Sequence, residues 1–253
     1  MPRPLVGAAE ILAASGADPL VRSQLRGARD TGPAWSEDGA VGWFAIDADE
    51  RMRYFFVVGG TPATASRLVA GVAEQIFATL PTPRVSVPRG TPAVLPPAYR
   101  LETPVDWDFR WTATDPPPAA GEQLVEWLAS PADDPAVAEL LAASSPRTSA
   151  QPGDSDVRRW TGIWGPGRRL DACAADTSGA PGVGHLSGIA TRTARRGQGL
   201  GTAVTTWLTR QLLIEFDLVT LGVYADNPAA LRLYDRLGYA ADHYCTSGVL
   251  AMS

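Results

Sequence analysis

With 253 residues, 45% of them hydrophobic and 19% charged, the chain has the length of one large or two modest domains and a globular composition. A net charge of −5 argues against generic nucleic-acid binding, and no apolar run approaches the roughly 18 residues of a membrane-spanning helix. Cys173 and Cys245 form neither a disulfide framework nor a metal motif, and Met1 to Ser15 is too weak for a secretory signal. A cytoplasmic protein without a bound metal is therefore expected. All 22 basic residues are arginine, which alongside abundant Ala, Pro and Gly reads as codon bias.

In chain order, Val6 to Ala14 is a helix candidate. Ala40 to Ile46 and Met52 to Val58 read as strands joined by a turn at Asp47 to Glu50. Gly59-Gly60-Thr61-Pro62 ends the second strand and starts a helix, with Thr61 as N-cap and Pro62 in the first turn. That helix is expected from Ala63 to about Ala78, burying Val69, Val72, Ala73, Ile76 and Phe77. Arg84 to Val87 is a further strand. Two readings of this N-terminal half, residues 1–95, stand side by side: a degenerate copy of the fold downstream, or an unrelated α/β segment.

Pro88 to Pro104 carries five prolines and reads as extended or irregular, with residues 96–104 as the linker between domains. Asp106 to Thr112 is a strand whose Trp107, Phe109 and Trp111 alternate onto one apolar face. Gly121 to Ala129 and Pro135 to Ala143 read as helices, and Ser144 to Ser155 as a polar loop. Strands are expected at Val157 to Trp164, Leu170 to Ala175 and, after a second loop at Asp176 to Gly184, His185 to Thr191. A glycine-rich run follows, Arg195-Arg196-Gly197-Gln198-Gly199-Leu200-Gly201. It leads into a helix, Thr202 to Glu215, with Val204, Trp207, Leu208 and Leu212 on one face. Leu218 to Tyr224 and His243 to Met252 supply the last strands.

Strand, glycine turn and helix N-terminus together make an anion site. The first N–H groups of a helix lack internal partners and the helix dipole favours negative charge there, while glycine allows close approach at positive φ. With no lysine in the chain, a Walker-type phosphate loop is excluded. The glycine spacing is not G-x-G-x-x-G, and Val219 to Tyr224 carries no acidic residue for a ribose, so a dinucleotide fold fits poorly. Arg196-x-x-Gly199-x-Gly201 instead resembles the pyrophosphate signature [QR]-x-x-G-x-[GA] of the GCN5-related N-acetyltransferases. Asn227-x-x-Ala230-x-x-x-Tyr234-x-x-x-Gly238-Tyr239 resembles that family's second motif, at the expected distance. The specific resemblance covers residues 185–239. The extra N-terminal half is similar to the FR47-like and glycine N-acyltransferase-like branch.

The resemblance implies an α/β fold: a central mixed, twisted sheet flanked by helices over residues 105–253, preceded by the N-terminal α/β domain. It implies acetyl-CoA as cosubstrate and an amine acceptor. The diphosphate falls to Arg196, Gly197, Gln198, Gly199, Leu200, Gly201 and Thr202. Ile189, Ala190 and Thr191 match the strand that pairs with the pantetheine arm, and Asn227 the asparagine that contacts the cofactor. Asp226-Asn227-Pro228 also reads as a plain helix cap. Tyr234 matches the tyrosine near the sulfur, where a phenol can act as general acid; the alternative is a core tyrosine. Counting back from Arg196 to the position of the family's glutamate base gives His185, whose imidazole can serve as a base or simply hydrogen-bond in a strand. Two other classes of function remain: a coenzyme A-binding sensor without catalysis, and a scaffold whose N-terminal half forms a homodimer. Neither membrane nor nucleic acid is an expected partner.

Overall fold

The computed structural model describes residues 1–25, 32–46 and 52–253; the turn expected at Asp47 to Glu50 lies outside them. The elements are β1 (Arg3–Leu5), α1 (Gly7–Ala14), α2 (Pro19–Gln24), β2 (Ala34–Glu37), β3 (Ala40–Ile46), β4 (Met52–Gly59), α3 (Pro62–Gly71), α4 (Ala73–Thr79), β5 (Arg84–Pro88) and β6 (Tyr99–Thr112). There follow β7 (Glu126–Trp127), α5 (Asp134–Ser144), β8 (Arg159–Gly165), β9 (Arg169–Asp176), β10 (Val183–Thr191), α6 (Leu200–Glu215), β11 (Leu218–Tyr224), α7 (Pro228–Arg236) and β12 (Ala240–Met252). They divide into two compact units. One holds Met1–Arg110, Val223–Pro228 and Ala241–Ser253; the other holds Trp111–Gly222 and Ala229–Ala240.

In the first unit the strand order is β1-β2-β3-β4-β5-β12-β6. β3 and β4 form an antiparallel hairpin, while β4 and β5 run parallel across the α3–α4 crossover. Phe44, Phe55, Leu68, Val69, Ile76 and Val85 form the core beneath those helices. On β3 and β4 the alternate residues are buried too: Trp43 stacks on Phe56 with centroids 5.6 Å apart. α3 begins with a capping box, in which Thr61 and Thr64 satisfy each other's backbone N–H. The single helix expected from Ala63 to Ala78 is two. Val72, at φ −121°, interrupts it. Gly71 precedes that break, and a Cβ there would lie 2.8 Å from the ring of Pro2, so the N-terminal segment packs against the joint.

The strand expected from Asp106 starts earlier, at Tyr99, so of the two forms expected for the proline-rich segment its second half takes the extended one. Glu102 to Asp106 is exposed, and the N–H that Pro104 lacks is one that water would otherwise have taken. The expected single apolar face is also corrected. Phe109 is buried, but so are Asp108 and Arg110 between the half-buried tryptophans. Asp108 is held by Arg89 at 2.7 Å and by Arg110 at 3.3 Å, which compensates the charge that burial strands.

In the second unit the order is β11-β10-β9-β8-β7, with β10 parallel to β11 and the other neighbours antiparallel. Its core gathers Val137, Leu140 and Leu141 of α5 with Trp160, Leu170 and Ala175 of β8 and β9. The helix expected from Gly121 to Ala129 is absent. Gly121 is left-handed at φ 89°, Glu122–Leu124 is one 3₁₀ turn, and Glu126–Trp127 pairs with β8. Tertiary contacts override helix propensity here. Glu122 takes the Arg210 guanidinium at 2.8 Å, and Trp127 packs edge-on to Trp207 with Arg159 over its ring.

His243 on β12 closes the first unit on α2. Its Nε2 lies 3.1 Å from Asp18, whose other oxygen caps α2 by accepting from Leu20 and Val21. Burial pushes the imidazole pKa down, but the hydrogen bond and the charges of Asp18 and Asp242 outweigh it, and the net shift is upward. A folded-state pKa above the unfolded value stabilises the protein below the unfolded pKa of roughly 6.5, and the gain is lost as pH rises through the folded value. In thermal melts the stability gap between wild type and His243→Gln should therefore be wider near roughly pH 5.5 than near roughly pH 9; a gap independent of pH would contradict the pairing.

Candidate functional site

β10 carries the site's entry. Its parallel ladder with β11 runs from Val183↔Leu218 to Leu186↔Leu221 and, among the described residues, goes no further. Its antiparallel register with β9 shifts between Ser187 and Ala190, where Gly188 takes φ 58° against the Trp160 ring. His185, Ser187, Ile189 and Thr191 are half-buried, whereas Leu186 and Ala190 are buried. The strand thus presents Ile189 to Thr191 beyond the end of the β11 ladder.

After a 3₁₀ turn at Thr193–Arg195, the chain enters the glycine run. Gly197 and Gly199 hold φ 76° and 81°, a conformation that costs other L-residues about 1 kcal/mol or more, and a Cβ at either would meet open space. Gly199 is the N-cap of α6 and no side chain caps the helix, so the N–H groups of its first turn face outward unclaimed by any cap. Gly201 serves packing: a Cβ there would lie 3.0 Å from Thr191 Oγ1 and 3.8 Å from Leu233, which brings β10 and α7 against the start of α6.

The N-terminal half has a similar strand–glycine–helix turn, built shut. A Cβ on Gly60 would fall 2.3 Å from Thr64 Oγ1, and one on Gly59 2.5 Å from the Gly39 carbonyl. The Thr61–Thr64 box already takes the backbone N–H groups of Thr61 and Thr64.

The arginines flanking the open turn are tied to protein. Arg196 donates to the carbonyls of Ser144 at 2.9 Å and Thr191 at 3.4 Å. Arg195 Nε is 3.0 Å from Asp171, and buried Arg192 donates to the Leu170 carbonyl and to Glu139. Arg169 and Arg192 hold the Glu139 carboxyl below the usual carboxylate range.

α6 is buried almost all round, beyond the one face its apolar residues predict: Thr205, Thr206 and Thr209 are fully buried with Val204, Leu208 and Leu212. Thr205 and Thr209 return their hydroxyl protons to carbonyls one turn back, Gly201 and Thr205. Tyr239 bonds Thr209 at 2.6 Å, anchoring the end of the second motif to this helix. Tyr234, one turn earlier, is also buried, 5.8 Å from the Tyr239 ring, yet its hydroxyl has no protein partner among the described residues. Burial pushes both phenols well above the usual tyrosine range, so both stay protonated.

His185 lies directly across from Thr220, Nδ1 to Oγ1 2.7 Å. Its backbone N–H donates to Ser178 Oγ and its carbonyl accepts from Thr177. Ser178 in turn donates to Asp176, a fully buried carboxylate bound by Arg158 and Arg159. Of the residues anticipated from sequence, Thr191, Arg196, Gly201 and the helix of Tyr234 meet around the turn. Gln198 is exposed, and Leu200 and Thr202 form the first turn of α6. Asn227 sits in the turn before α7, its N–H on the Tyr224 carbonyl, and falls in the first unit. The Thr177–Ser178–Asp176 frame and Thr220 were not anticipated; their only sequence signal is a polar loop and one threonine in an apolar strand.

Residues 166–247 match the FR47-like protein family. An acetyltransferase of Novosphingobium aromaticivorans is similar in structure, with a TM-score of 0.55, 20% identity and 96% of each chain covered. So is a GCN5-related N-acetyltransferase of Sphaerobacter thermophilus, at 0.57 and 14%, covering 100% of this chain and 95% of that one. The fold is that of the GCN5-related N-acetyltransferases. A tandem protein of this fold from the clavulanic acid biosynthesis pathway covers 100% of the chain and is covered to 98%, with a TM-score of 0.50 and 14% identity. No curated protein matches the chain in sequence. In this acetyltransferase fold, the strand–turn–helix of β10 and α6 and the helix α7 carry both motifs. Among the described residues, no group of three or more His, Cys, Asp or Glu is placed to hold a metal ion, and no helix is long and apolar enough to cross a membrane.

The two tyrosines separate structure from chemistry. Tyr239→Phe should lower unfolding stability by about 1 kcal/mol, because it removes a buried hydrogen bond. Tyr234→Phe should change it by less than about 0.5 kcal/mol, since no protein bond is lost. Denaturant titration of both variants checks this, and an equal loss in the two would contradict it.

Proposed function

We propose that the chain is an acetyl-CoA-dependent N-acetyltransferase acting on a primary amine. The observation that carries this reading is the uncapped N-terminus of α6, opened by Gly197 and Gly199 at the point where β10 has left its ladder with β11. Backbone N–H groups of Gly199 to Thr202 suit a diphosphate, and the tied arginines add positive charge without competing for the turn's donors. The backbone of Ile189 to Thr191 suits an amide-bearing arm laid beside the strand. Asn227 is proposed to contact the same cosubstrate.

Bound acetyl-CoA would supply the activated acyl group; the remaining work falls to this chain. Tyr234 holds a proton on a hydroxyl that has no protein partner among the described residues, as a general acid for a departing thiolate requires. His185 accepts the proton of the amine on an imidazole nitrogen. A coenzyme A sensor would need the turn but not these two groups, and the free hydroxyl of Tyr234 favours catalysis.

In this reading the N-terminal half, residues 1–95, is a degenerate relative of the catalytic one. Its closed turn gives it no site of its own, so each chain binds one acetyl-CoA in the cytoplasm.

Calorimetric titration tests this. Wild type should bind one equivalent of acetyl-CoA, and Gly199→Glu, which puts a carboxylate at the turn, should abolish binding without unfolding the protein. Tyr234→Phe should bind normally and lose about a hundredfold to ten-thousandfold in kcat, read as thiol release with ammonia, glycine or spermidine as the acceptor. Absence of binding by folded wild type would overturn the reading.

A further inference from the structure

Arg196 places its guanidinium on a helix end rather than over the glycine turn it opens. Nη2 donates to the carbonyl of Ser144, the last residue of α5, at 2.9 Å, and Nε to the Thr191 carbonyl at 3.4 Å. The last carbonyls of a helix have no partner within it, and the helix dipole favours a cation there. In α5 the Leu141 carbonyl accepts from Ser145, and the Ser145 carbonyl beyond the helix accepts from Thr148, while the Ser144 carbonyl falls to Arg196. Ser144 Oγ is enclosed, so this joint is shut off from solvent. We propose that Arg196 is a positioning residue: by closing the end of α5 it holds the Ser144–Ser155 loop over the face of β10 that receives the acceptor amine. This rests on the acetyltransferase reading above, in which His185 takes the amine proton.

The strand register shows which face the loop covers. Ser187 pairs with Ala175 and, past the bulge, Ala190 pairs with Cys173, so these four residues share one face of the sheet. That face packs on α5 and on Ala150 of the loop, and a Cβ on Gly188 would lie 3.5 Å from that of Ala150. His185, two residues before Ser187, stands on the same face. Local turns keep the loop's shape: the Gln151 N–H donates to the Asp154 carboxylate at 2.7 Å and the Val157 N–H to the Asp154 carbonyl at 3.0 Å. Its far end is fixed by the Arg158 N–H on the Asp176 carbonyl at 2.9 Å, and its near end by Arg196. One side chain thus joins the glycine turn to the acceptor side, and coupling between two such sites is reciprocal. Arg192 grips Glu139, in the middle of α5, at 3.1 Å, so the body of the helix stays docked when Arg196 is replaced.

Hydrogen–deuterium exchange read by mass spectrometry tests the latch without substrate. In Arg196→Met the amides of Thr148 to Val157 should exchange at least about tenfold faster than in wild type, as the loss of a hydrogen bond from a charged donor predicts. Those of β10 and the middle of α5 should keep wild-type rates, and Arg196→Lys, which retains a donor and its charge, should restore the loop's protection. With the fastest of ammonia, glycine and spermidine as acceptor, KM for the amine should rise at least about tenfold in Arg196→Met and recover in Arg196→Lys. The kcat at saturating amine should stay within about twofold, since binding and not chemistry is lost. Acetyl-CoA binding should weaken by less than about fivefold, the share of one screened charge. Unchanged loop exchange in folded Arg196→Met would overturn the proposal, as would a wild-type KM for the amine. Loss of acetyl-CoA binding with that KM unchanged would make Arg196 a phosphate ligand instead. Should none of the three amines turn over, acetyl-CoA decides: slower loop exchange on binding in wild type but not in Arg196→Met supports the link, and equal slowing in both overturns it. A faster loop in Arg196→Met, together with a wild type that binds no acetyl-CoA, would overturn the acetyltransferase reading and leave the latch standing.

Discussion

The backbone at Gly197 and Gly199 is the constraint on which the second unit's organisation rests. Both sit at positive φ with nothing above them, and together they turn the chain from β10 into α6 without a capping side chain. A serine or aspartate at the cap would have claimed one of the first-turn donors, for a gain over glycine of only about a few tenths of a kcal/mol. Its absence leaves the first-turn donors outward and available. The same turn decides what lies on either side. β10 ends its ladder with β11 at Leu186 and bulges at Gly188 before the turn, and α6 starts so close to β10 that a Cβ at residue 201 would crowd Thr191 Oγ1 at 3.0 Å.

The first unit makes the opposite use of the same local physics. β4, a glycine turn, α3 and a parallel β5 repeat the order of β10, α6 and β11. There the Thr61–Thr64 box takes the N–H groups of Thr61 and Thr64, and Gly60 leaves no room for even a methyl group. The glycines in that turn relieve crowding rather than open a cradle. Equal topology therefore does not mean equal chemistry; the difference lies in one capping pair and a few ångströms of space.

Much of this was legible in the sequence. β3 and β11 follow their expected bounds, and α5, α6 and β12 shift by at most three residues, because their patterns are long and periodic. The strand–glycine turn–helix order was legible from the residues, while Tyr234 was singled out only by the resemblance to the second motif. What was not legible depends on partners distant in the chain. Gly121 to Ala129 reads as a helix until β8 offers Trp127 an edge and Arg210 claims Glu122. Asp108 and Arg110 look like the wet face of a strand until Arg89 is brought beside them. The joint at Val72 follows from Pro2 packing on Gly71, which no local pattern encodes. α2 did carry a signal, Asp18 before Pro19 as cap and first residue, but at six residues it is too short for periodicity to mark. His185 was legible only as a position; its ring meets Thr220, 35 residues away.

The arginines beside the open turn show how charge and recognition are divided. In sequence, Arg195 and Arg196 stand as two positive charges beside the glycine turn. In the structure Arg195 lies against Asp171, Arg196 reaches the carbonyls of Ser144 and Thr191, and Arg192 is buried on Leu170 and Glu139. Each long side chain has already lost its rotamer freedom to the fold, an ordering worth up to about 2 kcal/mol per arginine that an incoming anion need not supply. In the proposed reading, the guanidinium groups shape the potential around the turn, while the geometric match to a diphosphate would be left to backbone N–H groups whose directions the helix sets. An anion site built on backbone is insensitive to the loss of any one side chain and sensitive to whatever fills the space above the glycines. The identity of residues 197 and 199 therefore constrains the site more than the charges around it.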